Sequence, residues 1–245
     1  MRNKILELSN LEVGFHSTLI KNIDAAINEG ELIALMGVNG AGKSCFLKTL
    51  SGLLSPISGQ IKIHSKSYQQ FTPVELAKHV AVVLTERFHA EYLRIDELVA
   101  LGRSPYTNWL GKLETRDEKI IQDVMEIIGI QSLSHRLFME LSDGQKQKAL
   151  IARAVVQEPS LLILDEPTTF LDIPSKIELM KLLKAICECK NTGILFSSHD
   201  LDLVEKFADK IWLVTGNGGI ISKSPKEMRA SGLLDEVFKL ELNQF

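Results

Sequence analysis

Gly37-Val38-Asn39-Gly40-Ala41-Gly42-Lys43-Ser44 matches G-x-x-x-x-G-K-[ST] at every fixed position. The run in front of it, Glu31-Leu-Ile-Ala-Leu-Met36, reads as a short buried strand after a turn at Gly30. The run behind it, Ser44-Cys-Phe-Leu-Lys-Thr-Leu50, has the apolar spacing of a helix. A glycine-rich loop in that frame lets the backbone wrap an anion closely, with successive N–H groups forming a nest at a helix N-terminus. Lys43 is then expected to reach the β- and γ-phosphates of a nucleotide, and the Ser44 hydroxyl to ligate magnesium. A merely flexible turn would not require a matched motif between a strand and a helix. The stretch therefore predicts magnesium-ATP held on residues 37–44.

Outward from the loop, the N-terminal segment alternates as strands do, through Ile5, Leu6, Leu8, Leu11, Val13 and Phe15, and again from Leu19 to Ile27. Ile61–Ile63 and Val80–Leu84 are further strand candidates. From about Arg87 the texture turns helical, with helices expected over Ile95–Leu101, Thr115–Ile128 and Ser142–Gln157. Strands return at Leu161–Leu164, Gly193–Phe196 and Lys210–Val214, separated by helical stretches at Pro174–Cys189 and Asp200–Ala208. Short apolar strands alternating with helices imply an α/β fold with a mainly parallel, helix-covered sheet. The expectation is one domain over residues 1–245, with an α/β core at about 1–86 and 150–245 and an inserted helical subdomain at about 87–149.

Composition excludes several classes. Hydrophobic residues are 45% and charged residues 24% of the 245, the mix of an ordinary globular chain. A net charge of -3 gives no positive field for a nucleic-acid partner. Neither a signal peptide nor a membrane-length apolar run is visible, which predicts a cytoplasmic chain. Cys45, Cys187 and Cys189 are an odd number, so no disulfide framework is expected. Cys187 and Cys189 fall on nearly opposite faces of a helix and are read as structural.

A phosphate loop alone does not separate kinases, GTPases and transport ATPases. Leu161-Leu-Ile-Leu-Asp165-Glu166 adds a buried strand ending in two carboxylates. Asp165 suits magnesium beside the loop, and Glu166 could take or orient an attacking water. Leu141-Ser142-Asp143-Gly144-Gln145 opens a helix, where the plain reading of Ser142 is an N-cap.

Together these segments resemble the ATP-binding-cassette (ABC) ATPases: residues 141–145 are similar to the family's LSGGQ signature, with Asp143 in place of the first glycine. Asp165-Glu166-Pro-Thr-Thr-Phe-Leu-Asp172 looks like the family's magnesium strand, catalytic glutamate and D-loop, and Ser197-Ser-His199-Asp like its switch histidine. The resemblance implies a P-loop NTPase (ABC ATPase) core with an N-terminal β subdomain and an inserted α-helical subdomain. It implies Lys43, Glu166 and His199 as catalytic groups, with His199 on the γ-phosphate. It also implies nucleotide contacts from Gly37–Cys45, with Phe15 stacked on adenine. Two positions depart from the family pattern. Glu86 stands where a glutamine is usual and is expected to join Ser44 and Asp165 around magnesium. Cys45 stands where a threonine often follows the loop serine, and a thiol is a weak hydrogen bonder.

Ile95-Asp-Glu-Leu-Val-Ala-Leu-Gly-Arg-Ser-Pro-Tyr106 and the run Gly232–Phe238 resemble ATPase subunits that energise uptake of ferric siderophores, haem and cobalamin. That likeness implies a head-to-tail homodimer, each ATP lying between the P-loop of one copy and Ser142, Asp143, Gly144 and Gln145 of the other. It implies two integral-membrane permease subunits, docked near Glu86, Phe88, Tyr92, Tyr106 and Trp109, and an extracytoplasmic substrate-binding protein. The subunit would then sit on the inner face of the cell membrane. An ATPase for a metal ion or an exported compound, a non-transport ABC ATPase and a P-loop kinase remain open from the residues themselves.

Overall fold

The computed structural model describes residues 3–85, 90, 92–108, 110–234 and 236–237. The chain begins with an antiparallel hairpin, β1 (Lys4–Gly14) and β2 (Thr18–Asn28), and then enters β3 (Leu32–Met36) and α1 (Lys43–Leu50). β4 (Ser58–Ile63) returns to the free edge of β1 and is extended by the short β5 (Lys66–Ser67). α2 (Pro73–Ala77) leads to β6 (Val80–Val83). A helical stretch follows, with α3 (Ile95–Ala100), α4 (Thr115–Ile128) and α5 (Asp143–Val155). β7 (Leu161–Leu164), α6 (Ile173–Lys190), β8 (Gly193–Ser197), α7 (Leu201–Phe207) and β9 (Lys210–Val214) restore the strand-helix alternation. β10 (Ile220–Lys223) and α8 (Pro225–Ala230) follow.

Two sheets result. One is antiparallel, in the order β2-β1-β4-β5; the other runs β10-β9-β3-β8-β7-β6 and is parallel apart from the β10–β9 pair. The second sheet is covered on both faces, which is why its strands are continuous apolar runs rather than alternating ones. Along β3, Ile33 and Leu35 join a core shared with the hairpin and α1, where Phe46 meets Trp212 at 6.1 Å between ring centroids. Leu32, Ala34 and Met36 point the other way, into a core built with α3 to α6. α5 runs continuously through position 149 to Val155, so the sequence boundary near 150 falls inside a helix.

The helical stretch is anchored by a buried ion pair. Arg103 is 2% exposed, its Nε donating to Asp117 Oδ1 at 2.8 Å and its Nη1 to the Val156 carbonyl at 2.7 Å and to Glu158 at 3.0 Å. A buried guanidinium is tolerable when it is paired with carboxylates and further hydrogen-bonded, as here. Among the described residues no helix is long and apolar enough to cross a membrane.

Candidate functional site

The parallel sheet brings three strand ends side by side. β8 lies between β3 and β7, so the loop after Met36, the carboxylates after Leu164 and the Ser197–His199 turn share one edge. Ligands of open α/β sheets bind at this C-terminal edge.

The loop after β3 is shaped by close approach. Gly42 caps α1 with φ +94°, and a Cβ there would stand 3.0 Å from the Leu19 Cβ. Glycine supplies both the backbone angle and the clearance. The first turn of α1 carries no acidic residue, leaving the positive end of its dipole for an anion. Lys43 is buried and folded back over the loop, its ammonium donating to the carbonyls of Gly37 at 2.7 Å and Val38 at 2.9 Å. Ser44 is exposed beside it, while Cys45 is buried and its thiol is pushed up by that burial. Phe15 lies between the hairpin strands and is 64% exposed, close in sequence to the Leu19 that packs on Gly42. Its free ring face is available for stacking.

The carboxylates after β7 are held differently from one another. Asp165 is buried; its amide donates to the Val83 carbonyl at 2.8 Å and its Oδ1 accepts from the Ser197 hydroxyl at 2.7 Å. Glu166 turns through φ +47°, an uncommon angle for a side-chain-bearing residue. Its amide donates to the same Ser197 oxygen at 2.7 Å. Its two carboxylate oxygens are taken by different partners: Thr169 Oγ1 donates to Oε2 at 2.9 Å, and His199 Nε2 stands 3.1 Å from Oε1. Lys176 pairs with Asp200 at 3.1 Å, tying α6 to the start of α7 next to His199. The structure thus brings Asp165, Glu166 and His199 together. Ser197 and Thr169, which the sequence reading did not single out, connect them.

The signature segment sits elsewhere on the surface. Ser142 caps α5 in a capping box with Gln145, accepting from its amide at 3.4 Å and donating its own amide to Gln145 Oε1 at 3.1 Å. Ser142 and Asp143 are exposed, and Gly144 faces α6, where a Cβ would make ordinary van der Waals contact with Ser175 and Leu171. Of the expected docking aromatics, Tyr92 is 81% exposed. Tyr106 is partly structural: its ring covers Arg103 at 4.0 Å and its hydroxyl donates to the Gln157 carbonyl at 3.1 Å. Glu86, Phe88 and Trp109 lie outside the described residues.

Among the described residues no group of three or more His, Cys, Asp or Glu is arranged to hold a metal. Magnesium on a nucleotide needs no such cage; one hydroxyl and one or two carboxylates suffice beside phosphate oxygens and water. Ser44 and Asp165 are hard oxygen donors of that kind.

The sequence profile of the family described as ABC transporter matches residues 20–169. An uncharacterized ABC transporter ATP-binding protein of Methanocaldococcus jannaschii is 40% identical over 97% of this chain and 82% of its own length. The ferric enterobactin transport ATP-binding protein FepC of Escherichia coli is 31% identical, over 91% of this chain and 82% of its own. A solved inward-facing transporter assigned to the metal-chelate type superposes with a TM-score of 0.84 at 26% identity, covering 97% of this chain and 90% of that one.

Proposed function

Because this chain belongs to the ATP-binding proteins of the ABC transporter family, which are ATPases, we propose that it powers an importer of ferric siderophore, haem or cobalamin, turning over magnesium-ATP at sites shared between two copies. The observation that carries the hydrolytic part is the meeting of Glu166 with His199 and Thr169 at the sheet edge beside the phosphate loop.

In this reading the amides of Gly37, Val38, Asn39, Gly40, Ala41, Gly42, Lys43, Ser44 and Cys45 cradle the phosphates, while Phe15 stacks on the base. Lys43 moves from its two carbonyl partners to the β- and γ-phosphates. Ser44, Asp165 and, by its place in the sequence, Glu86 hold magnesium, which neutralises charge on the phosphates when bound. Glu166 orients the attacking water and accepts its proton, and His199 turns toward the γ-phosphate. Ser142, Asp143, Gly144 and Gln145 of a second copy close the site, presenting the positive end of α5 to the γ-phosphate.

An ABC ATPase subunit of this kind works with membrane permease components, so we place this chain on the inner face of the membrane. Exposed Tyr92 and the neighbouring helical stretch supply a surface for two permease subunits. An extracytoplasmic binding protein delivers the cargo. The siderophore class is favoured over haem and cobalamin by the FepC relative.

The test is reconstitution with a candidate permease of this import class, in vesicles containing its binding protein. ATP turnover should rise when the binding protein carries a ferric siderophore, and should stay basal with haem or cobalamin. Stimulation by haem or cobalamin alone reassigns the cargo. Transfer of phosphate to an acceptor, with no free phosphate released, overturns the ATPase reading.

A further inference from the structure

Ser197 ends β8 in register with Leu35 of β3, and is fully buried. A hydroxyl has one proton to give and lone pairs to receive, and both capacities are used on the two acidic residues of the neighbouring strand end. Oγ donates to Asp165 Oδ1 at 2.7 Å and accepts the Glu166 amide at 2.7 Å. One oxygen on one strand therefore sets a carboxylate rotamer and a backbone turn on the next.

Both settings matter for chemistry. Holding Asp165 through Oδ1 leaves Oδ2 as the oxygen free to face a cation. Glu166 adopts φ +47°, a conformation that persists in a side-chain-bearing residue only when its surroundings fix it. The bond from its amide to Ser197 is such a restraint. It sets the direction in which the Glu166 side chain leaves the backbone, toward Thr169 and His199.

We propose that Ser197 is a positioning residue of the hydrolytic site, one hydroxyl that fixes Asp165 for the cation and Glu166 for the water. This rests on the roles given above to those two carboxylates. Ser197 is fully buried with its hydroxyl committed to Asp165 and Glu166, so it acts through those two partners. An apolar side chain of similar size would fill the same space and leave both partners unfixed, so the hydroxyl and not the volume carries the function.

The experiment compares wild type, Ser197→Ala and Ser197→Cys, with Glu166→Gln as a control on the underlying reading. Binding of a fluorescent ATP analogue is titrated in EDTA and then against magnesium, and steady-state kcat and KM are measured alongside. Loss of a hydrogen bond to a charged group is worth on the order of tenfold in an equilibrium or a rate. For Ser197→Ala the magnesium midpoint should rise and kcat fall, each by roughly that factor, with magnesium-free affinity within about twofold of wild type. Ser197→Cys keeps a weak donor on a somewhat larger atom, so it should fall between the two and carries the measurement if the alanine variant does not fold. Wild-type magnesium midpoints and kcat in folded Ser197→Ala overturn the proposal. An equal loss of magnesium-free binding overturns it too, since that marks a general packing defect. If Glu166→Gln turns over like wild type, the assignment of Glu166 fails. If Glu166→Gln is inactive while Ser197→Ala behaves as wild type, only the role of Ser197 fails.

Discussion

His199 Nε2 lies 3.1 Å from Glu166 Oε1 while Thr169 Oγ1 donates to Oε2 of the same carboxylate at 2.9 Å. The carboxylate is thus held from both sides by its own chain. Each oxygen keeps a second lone pair for an attacking water, and movement of His199 toward a γ-phosphate would open Oε1 further. Oε2 would keep its Thr169 partner and so its direction. Glu166→Gln retains shape and hydrogen-bonding reach but cannot accept a proton. It is expected to bind ATP with near wild-type affinity and to lower phosphate release by about 10²-fold or more. Phosphate release at the wild-type rate counts against Glu166 as the base.

The buried ion pair of the helical stretch makes a separate prediction about stability. Arg103→Met leaves Asp117 buried, 8% exposed at its side chain, without its charge partner. Breaking such a pair on one side costs about 3–5 kcal/mol, readable as a lower denaturant midpoint. The double variant Arg103→Met with Asp117→Asn should recover part of that loss. Asp117 also accepts the Glu114 amide, and that bond, ahead of Arg103, holds its carboxyl below the usual carboxylate range. A carboxyl depressed in the folded state stabilises the fold above its unfolded pKa, and the contribution is lost as pH falls through the folded value. Wild type should therefore weaken below pH ~4, and Asp117→Asn should show a flatter acid limb in a stability-against-pH series.

How much of this was legible in the sequence depends on what kind of signal each feature leaves. The phosphate loop, β3, α1 and β7 were readable because a motif and an apolar run coincide there, and their observed spans match to within a residue or two. The antiparallel sheet was only half visible: β1 and β2 alternate, but β5 is too short to show a period. α2 and α8 were missed although Thr72-Pro73-Val74-Glu75 and Ser224-Pro225-Lys226-Glu227 are capping boxes with proline in the first turn. Their brevity hid them, since a five- or six-residue helix carries too little apolar pattern. Thr169 and Ser197 were not identifiable as partners of Glu166. Their roles go with the positive φ at Glu166, a conformation that the residue type does not announce. Arg103 and Asp117 are fourteen positions apart, and nothing in their spacing marks them as a pair.

The cysteines test the packing around the phosphate loop. Burial pushes the Cys187 thiol up to about 12 and raises that of Cys45, whereas Cys189 is exposed. Alkylation needs both access and thiolate, and a raised pKa removes the thiolate at neutral pH. Brief treatment of the native protein with iodoacetamide at pH 8 should label Cys189, leaving Cys45 and Cys187 intact until denaturant is added. Peptide mapping by mass spectrometry reads the order directly. Labelling of Cys45 as early as Cys189 contradicts the buried placement of that side chain beneath the loop.

The proposed sharing of sites follows from where the signature segment sits. Ser142 and Gln145 bond to one another, and Gly144 packs toward α6 rather than toward the loop that holds Lys43. A second copy offers the simplest way to bring the positive end of α5 to a γ-phosphate. Lys43→Ala removes the phosphate contact from one kind of subunit, and Ser142→Arg blocks the signature in the other, so each homodimer should be inactive. A mixed dimer then contains one site with intact Lys43 facing intact Ser142. Turnover from a single site depends on cooperation between the two sites, so trapped nucleotide is the cleaner reading. With Glu166→Gln added to both subunits to prevent hydrolysis, the mixture should retain one ATP per dimer after gel filtration, and each homodimer should retain none. A mixture that traps no more ATP than the separate homodimers rules out composite sites.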